Sequence, residues 1–272
     1  MTVAEEYVAA RTVLLDALEA LEKHRSSVIL IGAQAVYVWS GEGNFTVALM
    51  TTDADLALDA DHLESDPEVA ATLRSRGFHL KKDGNPGQWV GQGDIALDLM
   101  VSEHHAGRGS RSASLPPHEK NIARRGRGLA PALVDYEIKA ISALSEDDPR
   151  NVEVAVAGPA ALIVAKCIKL KERLEAMRAG GKDRTKPKDA LDIHRLLTAI
   201  EPGTLVEGFL RHRTQEDAQQ ESLEAVAFLE AESGKPDSWL PAMVARAAED
   251  DTGEVAQNFV WLVEELVEDL HQ

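Results

Sequence analysis

Apolar positions recur at three- and four-residue steps near the N-terminus, at Tyr7, Val8, Val13, Leu14, Leu18 and Leu21. That period predicts an amphipathic helix over residues 4–24. Val28 to Ile31 is a short β-branched run, which predicts a buried strand. Gly32-Ala33 then turns the chain into a helix over Gln34–Ser40, ended by Gly41 and Gly43. Thr46 to Asp59 reads as strand material interrupted at Thr51-Thr52-Asp53, and Pro67 opens a helix over about Glu68–Arg76. Asn85-Pro86-Gly87 marks a turn, with Trp89-Val90 beginning another strand. In Asp94 to Val101, Ile95, Leu97 and Leu99 fall on one face and Ala96, Asp98 and Met100 on the other. Residues 102–130 lose the pattern and read as loop, with a short helix after Pro117. Val134–Lys139 and Val152–Val156 alternate again and form a hairpin across an acidic turn.

From Pro159 the period becomes helical and stays so. One helix runs from Pro159 to the Gly180-Gly181 pair, and a second opens on Pro187 and passes Leu197. Leu205–His212, Gln215–Glu232, Ser238–Glu249 and Val255–Leu270 follow. This order predicts an α+β fold: a mixed sheet with flanking helices over 1–157, then an all-helical domain over 158–272.

Charge adds an asymmetry. The net charge is −17, yet residues 101–200 carry 18 basic and 13 acidic side chains, while residues 201–272 carry 4 and 17. The middle third is therefore the platform for an anionic partner, and the acidic end would repel one. Cys167 is the lone cysteine and excludes an internal disulfide. With no signal-peptide pattern and no membrane-length apolar stretch, the expectation is a cytoplasmic protein without a membrane partner. Cys167 lies in an apolar helical run and reads as a small buried hydrophobe.

Candidate chemistry centres on Asp53 and Asp55, two positions apart after the glycine turn. On a strand such residues share a face roughly 6–7 Å apart. Two carboxylates that close repel unless a cation lies between them, which suits Mg²⁺, although an Asp-rich turn has the same spacing. Asp98 offers a third carboxylate, as two-metal phosphoryl transfer requires, or a solvent-facing strand residue. Lys166 interrupts an apolar helix, where a charge needs a partner or a route to the surface; phosphate binding is the functional reading.

These residues together resemble the polymerase-β-like minimal nucleotidyltransferases, and within them the AbiEii/MenT-type toxin nucleotidyltransferases of bacterial abortive-infection and toxin–antitoxin systems. The resemblance rests on Gly32 with its helix, TTDADLAL (Thr51–Leu58), Asp98, PAALIVAKCIKLKER (Pro159–Arg173) and KPKDALDIHRLL (Lys186–Leu197), spanning residues 25–200. It implies a polymerase-β-like sheet whose active site the helical domain completes. Asp53, Asp55 and Asp98 would hold Mg²⁺, with Mn²⁺ as the alternative ion, and Asp98 would polarise the acceptor hydroxyl. Gly32, Ala33, Gln34, Thr52, Lys166, Arg173 and Lys188 would line the NTP phosphates. Asp189 would be a further active-site acid, with Asp192 orienting its neighbours. Where the family usually has Gly-Gly or Gly-Ser, this chain has Gly32-Ala33, so a hydroxyl contact is lost and weaker nucleotide binding is expected.

The implied function is transfer of an NMP from an NTP to an acceptor hydroxyl, with a tRNA 3′ end as acceptor. The protein would then be a monomeric toxin held by an antitoxin. Its RNA would dock on the basic stretches 108–127 and 166–188. A protein or a small molecule such as an antibiotic is the alternative acceptor. A binding module eroded at Ala33 is the non-enzymatic alternative.

Overall fold

The computed structural model describes residues 3–41, 51–108 and 111–271. It divides into two compact units. One takes the chain up to Ala35, the stretch ending at Leu129, and Tyr136–Ala157. The other resumes at Val36, takes Ala130–Asp135, and includes the chain from Gly158 onward.

The first unit opens with α1 (Val3–Ala20), then β1 (Val28–Ile31), α2 (Gly32–Ser40), whose second half belongs to the other unit, β2 (Asp53–Leu58) and α3 (Val69–Ser75). β3 (His79–Leu80), β4 (Gln88–Val90), β5 (Ala96–Ser102), β6 (Arg124–Gly126), β7 (Tyr136–Ser142) and β8 (Asn151–Ala157) complete it. Among the described residues these make one eight-stranded mixed sheet in the order β3-β4-β5-β2-β1-β8-β7, with β6 paired to the far end of β5. β1 lies antiparallel to β2, and β2 parallel to β5. All four residues of β1 are buried, as a central strand covered on both sides requires.

Against β2 and β5 packs α1, whose buried face includes Ala10, Val13, Leu14, Leu15, Ala17 and Leu18. Each such leucine is worth about 1.5–3 kcal/mol of burial. Arg11 is buried on the same helix and earns its place through hydrogen bonds: Nε to Gln34 Oε1 at 2.9 Å, Nη1 to the Ser142 carbonyl at 2.8 Å and Nη2 to Tyr7 Oη at 3.0 Å. It ties α1 to Gln34 at the start of α2 and to the end of β7.

Some expectations change. The helix expected after Pro117 is a run of turns. There His118 receives the Val69 N–H on Nδ1 and uses Nε2 on the Glu64 carbonyl, and the Asn121 N–H donates to Ser112 Oγ. These contacts compete with helical bonding and win. The strand expected from Val134 begins at Tyr136, because Ala130–Leu133 coils into a 3₁₀ turn. Gly43 and the strand expected over residues 46–50 lie outside the described residues.

The second unit is built from α4 (Pro159–Arg178), α5 (Pro187–Ala199), α6 (Pro202–His212), α7 (Glu216–Glu232), α8 (Trp239–Ala247) and α9 (Glu254–His271). Proline stands at the start of the first three, where its missing N–H costs nothing. α4 packs against α5, α6 and α7, and α5 against α8 and α9. Buried Asp135 pins the start of α4. Its Oδ2 accepts the Ala161 N–H at 3.1 Å, and its Oδ1 accepts Nε and Nη2 of Arg211 at 3.0 and 2.6 Å. Gly158 is required here, since a Cβ would fall 2.3 Å from that carboxylate. Burial pushes the Asp135 carboxyl up, but His212 and Arg211 outweigh it and hold it below the usual range.

Candidate active site

The strand-to-helix junction fixes the first carboxylate. Gly32 has φ +70°, in the left-handed region, and a Cβ built on it would lie 2.1 Å from Asp55 Oδ2. Any L side chain there is both strained and in collision, so the Asp55 carboxyl seats against the bare Cα. Ile31 pairs with Asp55 across the β1–β2 ladder, which places the acid beside the first turn of α2. The opening N–H groups of that turn lack intrahelical partners. Ala33 is not among the residues with positive φ; it begins the helix in ordinary backbone, where alanine is favoured.

Sheet register gathers the other two acids. Asp53 shares a face with Asp55, and β5 runs alongside so that Asp55 stands opposite Asp98. Neighbouring strands lie about 4.8 Å apart. Thr51 Oγ1 donates to Asp53 Oδ1 at 2.8 Å, while Gln34 Nε2 donates to the Asp53 carbonyl at 3.1 Å. Gln34 is buried, with its remaining amide bonds going to Ala10 and Arg11, so its side chain braces the strand. Thr52 is exposed beside it.

Asp98 is 9% exposed. Its Oδ2 pairs with Arg124 Nη2 at 2.9 Å, and its Oδ1 is buried with no hydrogen-bond partner among the described residues. Burial raises its pKa above the usual carboxylate value; Arg124 opposes that shift and the charge of Asp53 adds to it. A buried anionic oxygen with nothing to bond is costly. Asp53, Asp55 and Asp98 share one register, and a hard divalent cation would satisfy Oδ1 and remove the repulsion, but the carboxylate oxygens of the three do not all lie within 4.8 Å of one another.

The helical unit holds a different cluster. Lys166, Lys169 and Arg173 stand at i, i+3 and i+7 on α4 and so share a face. Lys166 Nζ meets Asp189 Oδ1 at 3.1 Å and Asp192 Oδ2 at 2.5 Å. Lys169 Nζ reaches the same Asp189 Oδ1 at 3.0 Å, and Arg173 Nη1 takes Asp189 Oδ2 at 2.9 Å. Burial would lower the pKa of Lys166, but the two aspartates outweigh it and raise the value. Burial would raise the pKa of Asp189, but Lys166 and Lys169 drive it well down. Partial burial and then the charge of Lys166 lower Lys169. Both Asp189 oxygens are therefore engaged by cations, and the geometry makes Asp189 the holder of the cluster. Lys188 is half-buried at the start of α5.

The basic stretches are partly spent inside their own units. Arg124 is paired with Asp98; Arg125 donates to the Gly107 and Glu103 carbonyls, and Arg127 pairs with Glu103. Arg108, Arg111 and Lys120 are exposed, as are Lys182, Arg184 and Lys186. Cys167 is buried and burial pushes its thiol far up, which suits an inert side chain. No helix among the described residues is long and apolar enough to cross a membrane.

Thr51, Arg124 and Lys169 bond to the candidate residues Asp53, Asp98 and Asp189, and the sequence does not single them out. Thr51 was visible only as half of a Thr-Thr pair, and Arg124 as one of several loop arginines. Lys169 carried the clearest signal, the i+3 spacing from Lys166.

No curated protein and no solved structure gives a significant match to the chain. The family model described as Nucleotidyltransferase matches residues 10–204, a span that includes all three sheet acids and the whole cation cluster. The chain belongs to this nucleotidyltransferase family, and it is an enzyme of nucleotide transfer whose substrate is an NTP.

Proposed function

We propose that the protein is a Mg²⁺-dependent nucleotidyltransferase of the AbiEii/MenT type, moving an NMP from an NTP to the 3′-terminal hydroxyl of a tRNA. In this reading it is a cytoplasmic toxin restrained by an antitoxin. The observation that carries it is the Asp53–Asp55–Asp98 register, with Asp98 Oδ1 unpartnered among the described residues. Asp53, Asp55 and Asp98 would hold the ion, Mg²⁺ or Mn²⁺, which supplies charge neutralisation for the triphosphate and acidifies the acceptor hydroxyl. The acceptor oxygen bonds to the α-phosphorus, the bond to the bridging oxygen breaks, and pyrophosphate leaves with the electron pair. The hydroxyl proton passes to the Asp98 carboxylate and on to water. The N–H groups of the first α2 turn serve the phosphates. The helical conformation of Ala33 supports an active enzyme over an eroded module.

The tRNA acceptor and the toxin role rest on the sequence resemblance. The engagement of Arg124, Arg125 and Arg127 within their own unit favours the second reading, a protein or small-molecule acceptor, since fewer cations remain for RNA. Incubation with each α-labelled NTP and Mg²⁺, offering total tRNA, cell protein or aminoglycosides, separates the readings. Label at the tRNA 3′ end is expected. Label on protein or drug alone would move the acceptor, and no label on any of them would sink the transfer reading.

A further inference from the structure

The α4 cluster holds more positive than negative charge, three cations against two carboxylates. Its cations are not equivalent. The Lys166 side chain is 8% exposed and lies between two carboxylates, so it has little left to offer a ligand. The Lys169 side chain is 43% exposed and meets a single carboxylate oxygen among the described residues, which leaves N–H donors on its ammonium. Arg173 gives one guanidinium nitrogen to Asp189 and keeps other donors. Asp189 thus pins two half-open cations side by side, one on each of its oxygens.

We infer that Lys169, with Arg173 beside it, is the side chain that contacts the polyphosphate of the NTP, and that Lys166, Asp189 and Asp192 are positioning residues behind it. This rests on the nucleotide-transfer reading. Preorganised neighbouring cations suit a compact anion with adjacent phosphates, because the cost of ordering the side chains is already met. An RNA backbone is better served by the exposed, unpinned Lys182, Arg184 and Lys186. Partial burial and the repulsion from Lys166 also leave Lys169 in want of more negative charge.

Calorimetry on the full chain tests this with each Mg-NTP, the matching nucleoside and inorganic tripolyphosphate. Lys169→Gln keeps Asp189 paired with Lys166 and Arg173, and a melting curve checks that it folds. Loss of a charge-assisted contact should weaken NTP binding by about tenfold or more. Lys169→Arg should restore most of it, and nucleoside binding should not change. Unchanged NTP affinity in Lys169→Gln overturns the assignment and leaves the transfer reading standing. The same result with loss of tRNA retention overturns it in favour of an RNA phosphate. If the wild type binds no NTP, the transfer reading fails, and tripolyphosphate then tests the anion site alone. Binding that disappears in Lys169→Gln supports that site, and no binding overturns it.

Discussion

The carboxylates of β2 and β5 and the cations of α4 both crowd like charges, but the two clusters settle their charge differently. On α4 the opposing carboxylates are supplied by α5, and the buried ions sit in a closed network. In the sheet Arg124 compensates one acid only in part, and a buried oxygen of Asp98 has no hydrogen-bond partner among the described residues. The buried part of the helical cluster, Lys166 with Asp189 and Asp192, serves the fold, whereas its half-open edge at Lys169 and the under-compensated sheet acids are left for a ligand. Substitutions should therefore damage different properties: transfer activity in the sheet, stability at the buried Lys166 pair.

The largest effect is expected from Asp53→Asn. The variant keeps an oxygen for the Thr51 hydroxyl but loses a metal-binding charge worth several kcal/mol in the transition state. Transfer rates should fall by about 10²–10⁴-fold, with urea unfolding within about 1 kcal/mol of wild type. Next comes Lys166→Met, which strips buried Asp192 of its lysine and should cost about 3–5 kcal/mol. Adding Asp192→Asn should recover part of that loss in a double-mutant cycle. Equal losses of stability at both sites would erase the contrast.

Gly32→Ala should cost about 1–3 kcal/mol from the left-handed backbone and the displaced Asp55, with activity falling alongside. Ala33→Gly, one residue on, should cost only about 0.5–1 kcal/mol and leave turnover unchanged.

Acid separates the clusters more gently. Asp189 and Asp135 titrate below their ordinary value of 3.8, so their stabilisation is present above that pH and is lost as pH falls through their folded values. Asp98 is raised, so its contribution is fully present below 3.8 and is lost as pH rises through its folded value. Asp98→Asn should therefore stabilise the metal-free protein at neutral pH, by an amount that shrinks towards pH 3 in urea melts.

Much of this was legible along the chain because it depends on local period. The buried strand Val28–Ile31, the glycine turn, the paired aspartates and the helices after Pro159 follow from patterning. What depends on pairing did not. β3 and β6 are two and three residues long and exist only through neighbours; Arg124-Arg125-Gly126 has loop chemistry yet pairs with Met100–Ser102. Asp98 read equally as a third acid or a solvent-facing residue until the register set it opposite Asp55. The exposed member of the Thr51-Thr52 pair was expected at the site, and the buried one bonds Asp53. Sequence singles out Lys166 and Asp189, but their pairing with one another is a property of tertiary distance.

The central claim is that the sheet carboxylates bind a divalent cation. Mn²⁺ binding to the nucleotide-free protein, followed by electron paramagnetic resonance, tests it most directly. The wild type should take up the ion, and Asp55→Asn should bind it at least about tenfold more weakly, as expected for loss of a charged ligand. Equal binding by Asp55→Asn, or weakened binding in a Lys166→Met control alone, would contradict the account.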